Sequence, residues 1–211
     1  MALLEDLAVT WRSKILAWRH QPPRPLVEVH LVPAQPTARY GVLLLEQIAT
    51  SLAALGRADG LFSPDQSVTV ESNADAASAF STDWRSGEGG LAVLRTGQRS
   101  CWFALPTVGL NSIVDREDMT QRVAERLHTL LAIGLPIPGR LAPAIGLDPV
   151  TPTTRLGRLV EASATSGSFS IGNPQRVRVN PEEHLSPEEL RRANAAVAEE
   201  LVARLAAPLR R

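Results

Sequence analysis

The chain has 211 residues, of which 44% are apolar, and its 22 cationic side chains balance 22 acidic ones for a formal net charge of zero. A chain of that length buries roughly 70% of its unfolded surface and needs no disulfide or metal staple to hold a core. Charge balance argues against a protein-wide grip on nucleic acid or on an anionic membrane, and leaves only local patches in play.

Residues 3–18 read as a helix, because Leu3, Leu7, Trp11, Ile15 and Trp18 recur every three or four positions. Two tryptophans on one stripe suit packing on the chain's own body or docking on another chain. Gln21-Pro22-Pro23-Arg24-Pro25 ends this helix and makes a stiff spacer. The chain therefore divides into residues 1–24 and a domain over 25–211, with a subdivision point near 135–152. Residues 26–32 alternate as a strand. Residues 40–55 form a helix with Leu44, Ile48, Leu52 and Leu55 on its stripe and Gly56 at its end. Residues 67–72 and 79–84 read as short strands.

The best-patterned block spans Gly90 to Gly134. It opens with a hairpin over residues 91–105, turning at Thr96-Gly97-Gln98-Arg99, where Gly97 accommodates positive φ. Both hairpin faces are largely apolar, so the hairpin belongs inside, covered on both sides. A helix follows over 115–133, with Met119, Val123, Leu127 and Leu130 on its stripe. Asp115, Glu117 and Asp118 suit its positive end, and Gly134 and Pro136 stop it. Residues 26–134 thus read β-α-β-β-β-β-α, which predicts an α+β fold with a mostly antiparallel central sheet and amphipathic helices packed on it.

Beyond this block, Pro143 demotes a strand over 141–147 to a sheet edge. Residues 158–162 look extended, and 163–168 form a small polar loop. A last strand pair is expected over 169–171 and 176–179. Ser186-Pro187-Glu188-Glu189 is a capping-box start for a helix running to about residue 205.

The candidates for chemistry are sparse. His20, His30, His128, His184 and Cys101 stand at no metal-ligand spacing, so neither a metal centre nor a cofactor is expected. Glu28 and His30 share one strand face, as a minimal acid–base pair or as an ordinary polar pair. Ser86-Gly87-Glu88-Gly89-Gly90 precedes a strand and so differs from a phosphate loop, and Lys14, the sole lysine, serves no Walker motif. Cys101, mid-strand in an apolar run, reads as inert core. As the sole cysteine it excludes an internal disulfide and fits a reducing cytoplasm. No apolar run reaches the ~20 residues of a membrane span, and residues 1–14 lack the pattern of a secretory signal. Ser166, Ser168 and Ser170 have no adjacent base. Arg95 and Arg99 flank the hairpin tip and, with Trp11 and Trp18, are the expected partner-docking residues. Arg155, Arg158, Arg176 and Arg178 offer an alternative, an arginine-rich surface for nucleic acid. A solvated face paired with glutamates would look the same.

Several landmarks carry a resemblance. They are Phe62-Ser63-Pro64; Gly90 to Leu94 with Arg99-Ser100-Cys101-Trp102-Phe103-Ala104-Leu105-Pro106; Ile113-Val114-Asp115 before a helix; and Val177-Arg178-Val179-Asn180-Pro181-Glu182-Glu183 before an Ala-rich helix. Over most of residues 26–205 this order resembles the region that follows the nucleic-acid-binding domain in actinobacterial Schlafen-Alba-type proteins. The resemblance carries over no nucleotide-binding or nuclease residue. It implies an accessory sensing or assembly module of a bacterial regulatory or defence system. The expected function is therefore a non-enzymatic, cytoplasmic interaction or regulatory module, docking another chain or a second copy of itself. The alternatives are nucleic-acid binding through the arginine face and an enzyme with a site assembled around Glu28 and His30.

Overall fold

The computed structural model describes residues 7–16, 24–35, 40–83, 87–137, 139–159 and 175–210. The expected strand over 169–171, the serines at 166–170, and Trp18, His20 and Trp84 lie outside the described residues.

Alternation of apolar residues builds a seven-stranded, wholly antiparallel sheet in the order β10-β8-β1-β5-β4-β3-β2. Its strands are β1 (Leu26–Pro33), β2 (Thr69–Ser72), β3 (Ala76–Ser81), β4 (Gly89–Leu94), β5 (Arg99–Ala104), β8 (Leu141–Val150) and β10 (Gln175–Val179). A small second sheet joins β6 (Thr107–Val108), β7 (Asn111–Val114) and β9 (Thr154–Leu156), elements too short for the sequence pattern to announce. Helices α2 (Val42–Ala58), α3 (Arg116–Ala132) and α5 (Asn194–Ala206) cover one face of the large sheet. Val27, Val29, Leu31, Leu91, Val93, Cys101, Phe103, Ile145 and Leu147 point into that layer and meet Leu45, Leu52, Val123, Leu127, Leu130, Leu201 and Leu205. The fold is α+β, as the sequence order predicts.

The β4–β5 hairpin is buried on both faces, and Gly97 turns its tip with φ +87°. Asp115 caps α3 by accepting from Glu117 N at 3.0 Å. The Ser186–Glu189 capping box forms in full and opens α4 (Pro187–Arg192).

Four expectations are corrected. The helix over 3–18 is, within the described residues, an irregular run from Leu7 to an extended Trp11 and one turn, α1 (Arg12–Ile15). Lys14, Ile15 and Leu16 N close that turn on Trp11 O and Arg12 O, while Thr10 and Arg12 N bond to side chains of the sheet, as described below. Gly56 lies within α2, not at its end; a Cβ there would meet Phe62 Cε2 at 2.4 Å, so the glycine makes room for that ring. β8 is an interior strand between β10 and β1. Pro143 is tolerated because β10 reaches only from Val150 to Ile145. Leu141 exchanges both backbone bonds with Leu185 on its outer side, so by the period of two the Pro143 nitrogen also points outward and costs the β1 ladder nothing. Finally, the C-terminal helix is broken at Ala193, where Asn194 Nδ2 turns to donate to Ala124 O at 2.9 Å.

Candidate functional site

The face opposite the helices carries the polar residues. On β1, Glu28 and His30 alternate onto that face, as the period of two predicts. The register sets Ser100 of β5 opposite His30, and sets Glu28 between Trp102 of β5 and Gly146 of β8. One rung of the sheet therefore runs Arg178, Gly146, Glu28, Trp102, Gly90 across five strands. Its two glycines are seats for indoles. A Cβ at Gly90 would meet Trp102 Cζ2 at 2.3 Å, and one at Gly146 would meet Trp11 Cζ3 at 2.6 Å.

A chain of side-chain contacts joins these groups. His30 Nδ1 lies 2.9 Å from Ser100 Oγ, and His30 Nε2 lies 3.4 Å from Glu28 Oε2. Gln98 Nε2 donates to Thr10 O at 2.6 Å and to Ser100 Oγ at 3.0 Å, while Gln98 Oε1 accepts from Thr10 N at 2.9 Å. That two-way bond with one residue's backbone fixes which way the amide points. Glu28 Oε2 accepts from Arg12 N at 2.8 Å, and Arg12 Nε stands 3.7 Å from Glu28 Oε1. Trp11 meets the His30 ring edge-on at 4.9 Å between centroids, and the Arg178 guanidinium lies 4.9 Å over the Trp11 ring. Burial pushes the Glu28 carboxyl up, but the contacts with His30 and Arg12 outweigh it and hold the group below its ordinary range.

Serine hydroxyl, imidazole and carboxylate in series have the connectivity of a hydrolytic triad, with the two ring nitrogens exchanged relative to the usual arrangement. A nucleophile needs space ~3 Å from its oxygen for the reacting carbon. Ser100 and His30 are wholly enclosed and Glu28 is 1% exposed. The hydroxyl is flanked by His30 and Gln98, and the carboxylate is held by residue 12. In this conformation the series is a structural network that fastens the N-terminal segment.

The structure brings Glu28 and His30 together as expected and adds Ser100, Gln98 and Arg12, which sequence reasoning missed. The missing information was register: His30 and Ser100 are 70 residues apart. The available signal was Gln98, Ser100 and Trp102 falling on one side of the return strand.

The other predicted residues scatter. Trp11 is 6% exposed and faces its own sheet, so here it anchors the chain to itself. Arg99 turns to the helix face and is 1% exposed. Its Nη1 donates to Leu130 O at 2.7 Å and Ile133 O at 3.2 Å, and its Nη2 to Leu135 O at 2.6 Å. It closes the end of α3 in place of a left-handed Gly134, which has no positive φ. Both residues are therefore withdrawn from the surface where docking on a partner would need them. Arg95 is exposed. Arg176 and Arg178 share the face of β10 opposite the helices, where Arg176 Nε lies 3.1 Å from the Asp148 carboxylate. Arg155 belongs to β9 of the other sheet, and Arg158 Nη2 stands 3.9 Å from Glu117. The four arginines are thus split: Arg176 and Arg178 on the large sheet, Arg155 on the small one and Arg158 just after its strand β9.

Cys101 faces the helices, fully buried, and burial pushes its thiol up to about 12. At pH 8 the folded protein should react with Ellman's reagent on the order of a thousandfold more slowly than the urea-unfolded chain. Reaction at equal rates would show an accessible thiol. Among the described residues no three His, Cys, Asp or Glu side chains are grouped to hold a metal ion, and no helix is long and apolar enough to cross a membrane. Comparison with known proteins finds no family model and no curated protein that matches the chain.

Proposed function

We propose that the protein is a non-enzymatic interaction module that docks a partner chain on the shoulder formed by the β4–β5 turn and the start of α2. The observation that carries this reading is an exposed aliphatic pair opening α2, just after a residue whose backbone bonds to that of an exposed arginine. Leu43 is 74% exposed and Val42 41%. Arg95 is exposed, and its backbone is tied on both sides: Tyr40 N donates to Arg95 O at 2.9 Å, and Arg95 N to Asp75 O at 2.7 Å. Adjacent exposed apolar side chains with an arginine on a neighbouring turn suit a binding anchor, whereas single exposed apolar residues are ordinary. The accessory role implied by the resemblance to Schlafen-Alba-type regions, in a bacterial regulatory or defence complex, supports the same reading.

The test is the pair of substitutions Leu43→Asp and Arg95→Glu. Both sites are exposed, so thermal stability should stay near that of the wild type. Recovery of the partner from source cells, normalised to folded protein, should fall. A loss of about 2 kcal/mol, roughly 30-fold in Kd, is the hot-spot scale. Undiminished recovery with a folded double variant would remove the shoulder from the interface.

A further inference from the structure

We propose that the sheet face around Gly146 is a peptide-recognition groove which residues 9–15 of the same chain fill, and which the same segment of a second copy fills in exchange, joining two copies reciprocally. The manner of attachment leads to this. The segment from Val9 to Ile15 adds no strand to the sheet. Among the described residues, its main-chain bonds to the rest of the molecule run to side chains: both backbone groups of Thr10 to the Gln98 amide, and Arg12 N to the Glu28 carboxylate. That is how a groove grips a peptide backbone whatever its sequence, while a pocket reads one large residue. The pocket here is floored by Gly146, walled by His30 and covered by Arg178, and Trp11 fills it.

The occupant follows from the same contacts. The peptide shown to fit is this chain's own, with Arg12 set against Glu28. Every groove residue belongs to the body after residue 25, so a second copy's segment finds the same partners. The sequence places Pro22, Pro23 and Pro25 between segment and body, the composition of a semi-rigid spacer. Exchange of an identical element loses no contact and yields a closed two-fold pair; concentration decides against the segment's own tether. None of the shoulder residues Val42, Leu43 and Arg95 takes part, so this proposal and the preceding one fail independently.

Two full-length variants divide the interaction. Trp11→Ala leaves a groove without its anchor residue. Gly146→Leu places a side chain where the indole sits and leaves a segment without a seat. Each variant alone should run as a monomer near 22.8 kDa by light scattering on size-exclusion fractions. Mixed in equal amounts at high concentration, they should give a species of twice that mass, absent when Gly146→Leu is mixed with a Trp11→Ala/Gly146→Leu double variant. Folded variants, judged by circular dichroism, that stay monomeric in the mixture would overturn the proposal. Should either variant fail to fold, the wild-type chain with a protease site at residues 19–22 replaces it. After nicking, the folded protein should take up a fluorescent peptide of residues 7–16 in one-to-one ratio. Nicked protein that takes up none, or that unfolds as its own segment leaves, would equally overturn it.

Discussion

Arg99→Ala is expected to lower the melting temperature by about 10 °C, corresponding to a loss of about 3–5 kcal/mol in a chain of this size. The guanidinium is 1% exposed and its three donated bonds end on Leu130 O, Ile133 O and Leu135 O. Leu130 O belongs to the last turn of α3, where no intrahelical donor remains and the dipole is negative, and Ile133 O and Leu135 O follow just beyond it. A hydrogen bond from a charged donor contributes about 1.5–3 kcal/mol, and an orphaned buried acceptor costs its own desolvation on top. Truncation therefore removes the donors, leaves acceptors behind and opens a void between β5 and the helix end. Arg99→Lys should recover only part of the loss, because one compact ammonium cannot span three carbonyls as a planar fork does. Thermal unfolding followed by circular dichroism checks the magnitude, and hydrogen exchange across residues 130–135 checks the location. An Arg99→Ala protein melting within about 2 °C of the wild type would mean that α3 ends without help from β5.

Arg99 also shows where a sequence stops being legible. Its neighbours were readable: the alternation over 91–105 predicts a two-sided hairpin, and Met119, Val123, Leu127 and Leu130 predict α3. That odd-numbered positions on the return strand face the helices follows from the same alternation, and places Arg99 with Cys101 and Phe103. Next to a turn, however, an arginine reads as solvent-facing unless one knows that the end of α3 lies over it. The sealed series failed for the same reason. Glu28 and His30 share a face by local period, but Ser100 and Gln98 join them only through the pairing of β1 with β5, which no local pattern encodes. The N-terminal error is of another kind. Leu7, Trp11 and Ile15 keep helical spacing, and in isolation Leu7 to Trp11 would prefer to close its own bonds. Side-chain acceptors and donors on the sheet offer it better-buried partners, and tertiary bonding overrides the weak local propensity.

Glu28 decides how firmly that N-terminal segment is held. Glu28→Ala should cost about 3–5 kcal/mol, the scale for removing one partner of a buried charged pair. It leaves Arg12 N without its acceptor; Arg12 Nε, which has no hydrogen-bond partner even now, loses its nearby counter-charge, and His30 Nε2, likewise without a partner, loses the carboxylate beside it. Glu28→Gln keeps the shape and one acceptor and removes the charge, so it should cost less and act through pH. The folded-state pKa of Glu28 lies below the ordinary carboxylate value, so the unfolded chain takes up its proton first as pH falls. The stabilisation is full above about pH 4.5 and is lost as pH drops through the lowered value. Wild-type stability, read as the urea midpoint between pH 3 and 7, should therefore fall on the acid side by more than that of Glu28→Gln. Asp115 titrates in the same sense, but the substitution leaves its share in both proteins, and the difference between the two curves isolates Glu28. Trp11 fluorescence should report the site directly, since protonating Glu28 frees Arg12 N and loosens the turn that seats the indole. Parallel acid-side curves for the two proteins would show that the carboxylate contributes no more folded than unfolded, and that the N-terminal segment is held by Gln98 and the Trp11 seat alone.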